Sequence, residues 1–185
     1  MEIIAENLGR RFNYEWIFRN FNFTFSTDNS YAILGANGSG KSTLLQILSG
    51  YLSSSEGKII FRKNETEISS DLIYKQISFA SPYMELIEEF TLEEIISFHA
   101  GFKNFIGEMN AKILAEKIGL EKHNQKQIRF FSSGMKQRLK LALAVFSDSE
   151  ILFLDEPTTN LDQDGVEWYK KLMAEVSESR IIIVA

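Results

Sequence analysis

The chain has 185 residues, 44% hydrophobic and 24% charged, with only two prolines, an ordinary composition for a globular protein large enough to bury a real core. Its formal net charge of −5 argues against a dedicated nucleic-acid surface, which normally shows a basic excess. There are no cysteines, so disulfides and thiolate chemistry are excluded. Met1 is followed by Glu2 and a polar stretch, without the basic start and apolar region of a secretory signal. The longest apolar runs, such as 181–185, are far too short to cross a bilayer. Membrane association is therefore expected only through a partner.

The first third alternates. Phe21, Phe23 and Phe25 are separated by Asn22 and Thr24, a period-two pattern that predicts a half-buried strand. Phe12, Tyr14, Trp16 and Phe18 share one face if their stretch is extended. Residues 57–61 read as another strand after the serine turn at 53–55, giving an antiparallel sheet. Between a strand-like run at 30–34 and a helix-like run at 44–48 lies Gly35-Ala36-Asn37-Gly38-Ser39-Gly40-Lys41-Ser42-Thr43. This fits the phosphate-loop pattern G-x-x-x-x-G-K-[ST] in the strand-to-helix context that the pattern requires. Glycines let backbone amides turn inward into an anion nest, and the following helix aims its positive end at the same phosphates. Lys41 then reaches the β- and γ-phosphates, and the Ser42 hydroxyl ligates Mg²⁺. A nucleoside triphosphate is the expected ligand.

The middle of the chain is helical in pattern. Thr91-Leu92-Glu93-Glu94 predicts a capping box opening a helix, and a second helix is expected over 110–117. Glu85, Glu88, Glu89, Glu93 and Glu94 read as a solvated acidic face, with a docking surface as the alternative. Further on, 135–146 is apolar broadly enough for a buried helix, 151–154 is a continuous apolar strand of the parallel type, 166–176 a helix and 181–184 a second buried strand. Helices alternating with strands predict an α/β core. No repeat, low-complexity tract or linker divides the chain.

The strand at 151–154 ends in Asp155-Glu156-Pro157. Ligands of open α/β sheets sit beyond the carboxyl ends of strands, which places these acids near the phosphate loop. Asp155 holds Mg²⁺ directly or through water, and Glu156 orients or deprotonates an attacking water. Two acids after a strand also read as a solvated turn, which Pro157 supports; the phosphate loop in the same chain favours the site.

Phe131-Ser132-Ser133-Gly134-Met135-Lys136-Gln137-Arg138 opens the helix at 135–146. With it the chain resembles the ATP-binding subunit of an ABC transporter, from about residue 3 to the end. Residues 131–135 stand where that family carries Leu-Ser-Gly-Gly-Gln, and Thr159-Asn160-Leu161-Asp162 resembles its loop after the Asp-Glu-Pro. The resemblance implies a single ATP-binding domain over 1–185: a P-loop NTPase core with a parallel sheet, an N-terminal antiparallel β subdomain and a small helical subdomain at about 85–145. It implies ATP and Mg²⁺ as cofactors, with Lys41 and Glu156 catalytic and Ser42 and Asp155 on the metal. It further implies a head-to-tail homodimer, or a pair with a related ATPase subunit, in which Ser132, Ser133 and Gly134 bind the nucleotide of the partner. The bland reading of these serines is as helix caps, and the two readings are compatible. Phe12 is the expected adenine-stacking ring, a strand aromatic being as often core as ligand. A separate transmembrane permease completes the expected assembly, which sits in the cytoplasm on the inner face of the cell membrane without nucleic acid.

The chain departs from that family in three places. Ser133 and Met135 replace a glycine and a glutamine. The glutamine of the loop before the helical region is not evident; its place falls near Pro82, and Gln76 lies before the preceding strand. The switch histidine of the family would come just beyond Ala185, so the sequence is expected to lack a tail, and His99 and His123 read as ordinary surface or interface residues. These departures keep two alternatives open: a soluble ABC-type ATPase not coupled to transport, and a nucleotide-sensing subunit with weak hydrolysis.

Overall fold

Residues 1–27, 29–176 and 180–185 are described by a computed structural model. They divide into two compact units. The first holds residues 1–79, 149–155 and the C-terminal strand; the second holds 80–148 and the segment running from Glu156 through the helix after it.

The first unit begins with a long hairpin, β1 (Glu2–Phe12) and β2 (Glu15–Ser26). Phe12 pairs with Glu15, so the chain reverses through Asn13 and Tyr14. Asn13 takes a φ of 54°, a left-handed conformation that asparagine tolerates better than most residues. This corrects the expectation that Phe12, Tyr14, Trp16 and Phe18 share one extended face, because the turn falls among them. β4 (Glu56–Lys63) pairs with β1 and β5 (Thr66–Ile68) with β4, giving the antiparallel order β2-β1-β4-β5.

The other sheet of this unit has the order β3-β8-β7-β6, from β3 (Ser30–Ala32), β6 (Ile77–Ala80), β7 (Ile151–Leu154) and β8 (Ile181–Val184). β8 runs parallel to both β3 and β7. The four residues of β7 are all buried, which explains why that strand carries an unbroken apolar run rather than an alternation. Its alternate residues Ile151 and Phe153 join Ile181 and Ile183 of β8 in one core. Ile3, Leu8 and Phe25 of the antiparallel sheet close that core, together with Leu44, Leu45, Ile47 and Leu48 of α1 (Lys41–Leu48). The four helix residues have the i, i+1, i+3, i+4 spacing of a single buried stripe. That stripe fixes α1 on the core, and with it the loop at its N-terminus.

The second unit contains α2 (Leu92–Ala100), α3 (Ala111–Lys117), α4 (Ser133–Val145) and α5 (Gln163–Val176). The capping box of α2 forms as expected: the Thr91 hydroxyl accepts from the Glu94 amide, and the Glu94 carboxylate accepts from the Thr91 amide at 2.8 Å. α4 and α5 start two and three residues earlier than their apolar periodicity indicates. Ser132 accepts from the Met135 amide and Asp162 from the Gly165 amide, so polar first turns are held by caps that carry no hydrophobic signal.

Glu85, Glu88, Glu89, Glu93 and Glu94 are all exposed, as a solvated acidic face requires, and three of them also make specific contacts. Glu88 pairs with Lys136 at 2.5 Å, Glu93 accepts from Gln125 and Glu94 serves the cap. The Lys136 hydrogen bond holds the Glu88 carboxyl below the usual range, as the Thr91 amide and hydroxyl do for Glu94.

Phe153 is fully buried in β7, with its ring 6.1 Å from that of Phe79. Phe153→Ala is expected to destabilise the chain by about 3–5 kcal/mol, read from the shift in its urea unfolding midpoint.

Candidate functional site

Residues 35–39 form an exposed loop between β3 and α1, and the loop turns on two left-handed glycines, Gly38 at φ 79° and Gly40 at φ 93°. Gly40 is also sterically confined, since a Cβ there would collide with Cγ2 of Ile17 on β2. At Gly35 a Cβ would stand 2.6 Å from the Ser39 hydroxyl. The Ser39 amide donates to the Ala36 carbonyl at 3.1 Å, which closes the turn. Gly40 is the N-cap of α1 and brings no capping side chain, so the first amides of the helix are left for an outside acceptor. Lys41, at the first helical position, donates Nζ to the carbonyls of Gly35 at 3.0 Å and Ala36 at 3.1 Å. The ammonium therefore lies over the loop, where a phosphate ligand needs it. Ala36, Asn37 and Ser39 are exposed, while Ser42 and Thr43 on the first turn of α1 are half-buried.

Ser42 also reaches across the fold. Its hydroxyl donates to Asp155 Oδ1 at 2.9 Å, and Asp155, just beyond β7, is almost fully buried. A hydrogen bond to a carboxylate contributes about 1.5–3 kcal/mol, enough to fix both side chains. Mg²⁺ prefers hard oxygen donors and is usually held by one or two protein groups, with phosphate and water completing its shell. A hydroxyl and a carboxylate oxygen in contact meet that requirement. No group of three or more His, Cys, Asp or Glu that could hold a metal ion by itself occurs among the described residues.

Glu156 and the residues around 132 belong to the second unit. Glu156 is half-buried and adopts φ 43°, a left-handed conformation rare for a glutamate. Its carboxylate accepts from the Thr159 hydroxyl at 3.1 Å. Ser132 and Ser133 are exposed at the start of α4, with Gly134 half-buried behind them. Ser132 acts as the cap and Ser133 is the first helical residue. As a cap the Ser132 oxygen accepts a bond, which leaves its O–H free to donate to an anion.

Phe12 is 46% exposed at the end of β1, with the Arg10 guanidinium 4.5 Å above its ring. Tyr14 in the turn is almost wholly exposed, and Trp16 stacks beneath Arg19 at 4.2 Å. Phe12 is thus a surface ring with one guanidinium partner, not a core residue.

Near Pro82, the place of the family's loop glutamine, the backbone is held by a lysine. Lys140 of α4 donates Nζ to the carbonyls of Pro82 at 2.6 Å and Met84 at 3.3 Å. Burial, aided by neighbouring Lys136, lowers the Lys140 pKa. Nothing in the sequence marks this contact, because any lysine on a helix looks solvated until its neighbours are known. Gln76 lies in a 3₁₀ turn of the first unit, its carbonyl accepting from the Glu150 amide. His99 is not an ordinary surface residue: it stacks on Phe105 and its Nε2 bonds the buried Ser147 hydroxyl at 2.8 Å. Burial, with Lys103 as a secondary cause, pushes its pKa below the ordinary 6.5.

The family model described as ABC transporter matches residues 18–159. An uncharacterized ABC transporter ATP-binding protein of Bacillus subtilis is 29% identical over 184 residues, covering 96% of this chain and 81% of its own length. ABC transporter I family member 1 of Arabidopsis thaliana is 30% identical over 188 residues, covering 99% and 80%. Among solved structures, a dimeric post-hydrolysis state of the ATP-binding cassette MJ0796 bound to ADP and Pi superimposes with a TM-score of 0.82 at 22% identity. That alignment covers 99% of this chain and 87% of the other.

Two outcomes follow from this geometry. Gly40→Ala is expected to weaken nucleotide binding and to destabilise the chain by at least about 1–2 kcal/mol, from the left-handed backbone and the Ile17 collision together; titration calorimetry and thermal unfolding read the two effects. His99 has a lowered folded pKa, so the unfolded chain binds its proton more tightly. Its contribution to stability is complete above pH 6.5 and declines as the pH falls below that value. The unfolding midpoint of His99→Gln is expected to fall less steeply between pH 7.5 and 5.5 than that of the parent chain.

Proposed function

This chain belongs to the ABC transporter family as an ATP-binding ATPase, and from that membership we propose that it binds Mg·ATP and hydrolyses it to drive a separate membrane permease. The observation that carries the reading is the Ser42–Asp155 bond, which joins the phosphate loop to the strand-end carboxylate. Among the described residues no helix is long and apolar enough to cross a membrane, which suits attachment through a permease at the inner face of the membrane.

In this reading the amides of residues 35–43 and the N-terminus of α1 hold the β- and γ-phosphates. Lys41 leaves the Gly35 and Ala36 carbonyls for phosphate oxygens, exchanging two neutral acceptors for charged ones that bind an ammonium more strongly. Ser42 and Asp155 hold the Mg²⁺, which neutralises charge on the β- and γ-oxygens when bound. Glu156, the next residue along the chain, takes a proton from the attacking water. Phe12 offers its face to the adenine, and stacking of this kind is tolerant of the base.

Two copies, or this chain and a related ATPase subunit, pair head to tail around a two-fold axis. Ser132, Ser133 and Gly134 of each then meet the γ-phosphate bound by the other. The exposed Ser133 side chain stands where the family has a glycine, and this favours a second reading, a nucleotide-sensing subunit with weak hydrolysis.

Lys41→Ala is expected to lower ATP affinity at least tenfold and to abolish the thermal shift with Mg·ATP, as calorimetry and unfolding scans would show. Glu156→Gln is expected to keep ATP affinity, lose about 10²–10⁴ in turnover and accumulate an ATP-dependent dimer on size exclusion. Turnover at the parental rate in Glu156→Gln would remove Glu156 from the reaction, and an unshifted Lys41→Ala would remove the phosphate loop.

A further inference from the structure

Residues 156–162 make up a turn that packs against α4 and takes one backbone hydrogen bond from it. A Cβ at Gly134 would stand 3.2 Å from the Asn160 carbonyl oxygen, so helix and turn are in close contact there. One helical turn on, the buried Gln137 donates Nε2 to the Pro157 carbonyl at 3.0 Å. Arg138 extends its guanidinium to within 3.8 Å of the Asp162 carboxylate. Two residues of the turn, Glu156 at φ 43° and Asn160 at φ 66°, hold left-handed backbones. Asparagine tolerates this conformation, but a glutamate keeps it only where the surroundings over-determine it, as happens at functional positions. Here the surroundings are these contacts from α4.

The turn has a tether of its own. The Thr159 amide donates to the Glu156 carbonyl at 3.1 Å, and the Thr159 hydroxyl donates to Glu156 Oε2, also at 3.1 Å. An ionised carboxylate only accepts, so the hydroxyl is necessarily the donor. We propose that Thr159 is a positioning residue for Glu156: its hydroxyl ties down one carboxylate oxygen and leaves the other, Oε1, directed for a water. This rests on the reading of Glu156 as general base. In that step the water proton passes to the Glu156 carboxylate, the water oxygen bonds the γ-phosphorus and the bond from phosphorus to the β,γ-bridging oxygen breaks, releasing ADP and phosphate.

A glutamate has three side-chain torsions to fix, and an untethered base spends much of its time misdirected. Threonine suits the tether because its β-branched side chain is stiff at χ1, and its backbone is already bonded to Glu156. Gln137 fixes the turn that carries both residues. Its Oε1 is buried without a partner among the described residues, so the amide is oriented by the Pro157 carbonyl alone. The base is thereby fastened to the helix whose N-terminal end carries Ser132 and Ser133.

The test is single-turnover ATP hydrolysis by the full chain, with protein in excess, beside the ATP Kd and the unfolding temperature. Thr159→Val, which keeps shape and removes the hydroxyl, is expected to slow hydrolysis about tenfold through lost orientation, with Kd and unfolding temperature unchanged. Thr159→Ser is expected to recover most of the rate, which a merely structural role would not require. Hydrolysis by Thr159→Val within twofold of the parent, or a loss explained by weaker ATP binding, overturns the positioning role. A normal rate in Glu156→Gln, or no turnover in the parent chain, instead removes the reading on which it rests.

Discussion

Ser42 and Asp155 stand 113 positions apart in the chain, yet hydroxyl and carboxylate meet at 2.9 Å. The contact requires that β3 and β7 lie in one sheet, each adjacent to β8, with α1 pinned to the core beneath its stripe of leucines and isoleucine. A helix displaced by one turn would move Ser42 by about 5.4 Å and break it. The sheets and shared core of the first unit together bring this hydroxyl against this buried acid.

The N-termini of α1 and α4, each in its own unit, are finished in different ways. α1 starts from a left-handed glycine with no capping side chain, so its free amides await a ligand. α4 starts from Ser132, whose oxygen satisfies the Met135 amide while its proton remains available. The first arrangement leaves the helix amides without a side-chain cap, and the second caps the helix without using the serine proton. Capping and anion binding are therefore not rival accounts of Ser132.

Held polar groups recur through the second unit. Lys140 clamps the carbonyls of Pro82 and Met84, Lys136 pairs with Glu88, and the buried Gln137 bonds Pro157. All three side chains come from α4, spaced within two turns, and they face different partners. The Lys136–Glu88 pair is exposed enough that screening by water leaves it a small stabilising effect. The Gln137 bond is buried, so its loss would leave a carbonyl unsatisfied and cost more. A single helix thus fixes both the segment after β6 and the turn that carries Glu156.

The sequence by itself determined the elements whose signals are local. The phosphate loop, the capping box at Thr91, the phenylalanine alternation of β2 and the apolar run of β7 are each written within a dozen residues, where backbone propensity and side-chain period decide the outcome. The hairpin turn at Asn13, the early starts of α4 and α5 and the short β5 escaped that reading, since caps and edge pairing leave little hydrophobic pattern. Of the candidate site, the loop pattern at 35–43 and the acid pair at 155 and 156 after an apolar strand could be picked out because each is a local pattern of residue types. Only the tertiary structure decided that Ser42 bonds Asp155, that Thr159 holds Glu156, that Lys140 occupies the loop near Pro82 and that His99 is packed against Phe105 and Ser147. Except for the Thr159 bond and the His99–Phe105 stacking, each of these joins residues far apart in the chain. Partners of that kind are chosen by how strands and helices pack, and a linear pattern of residue types does not encode it.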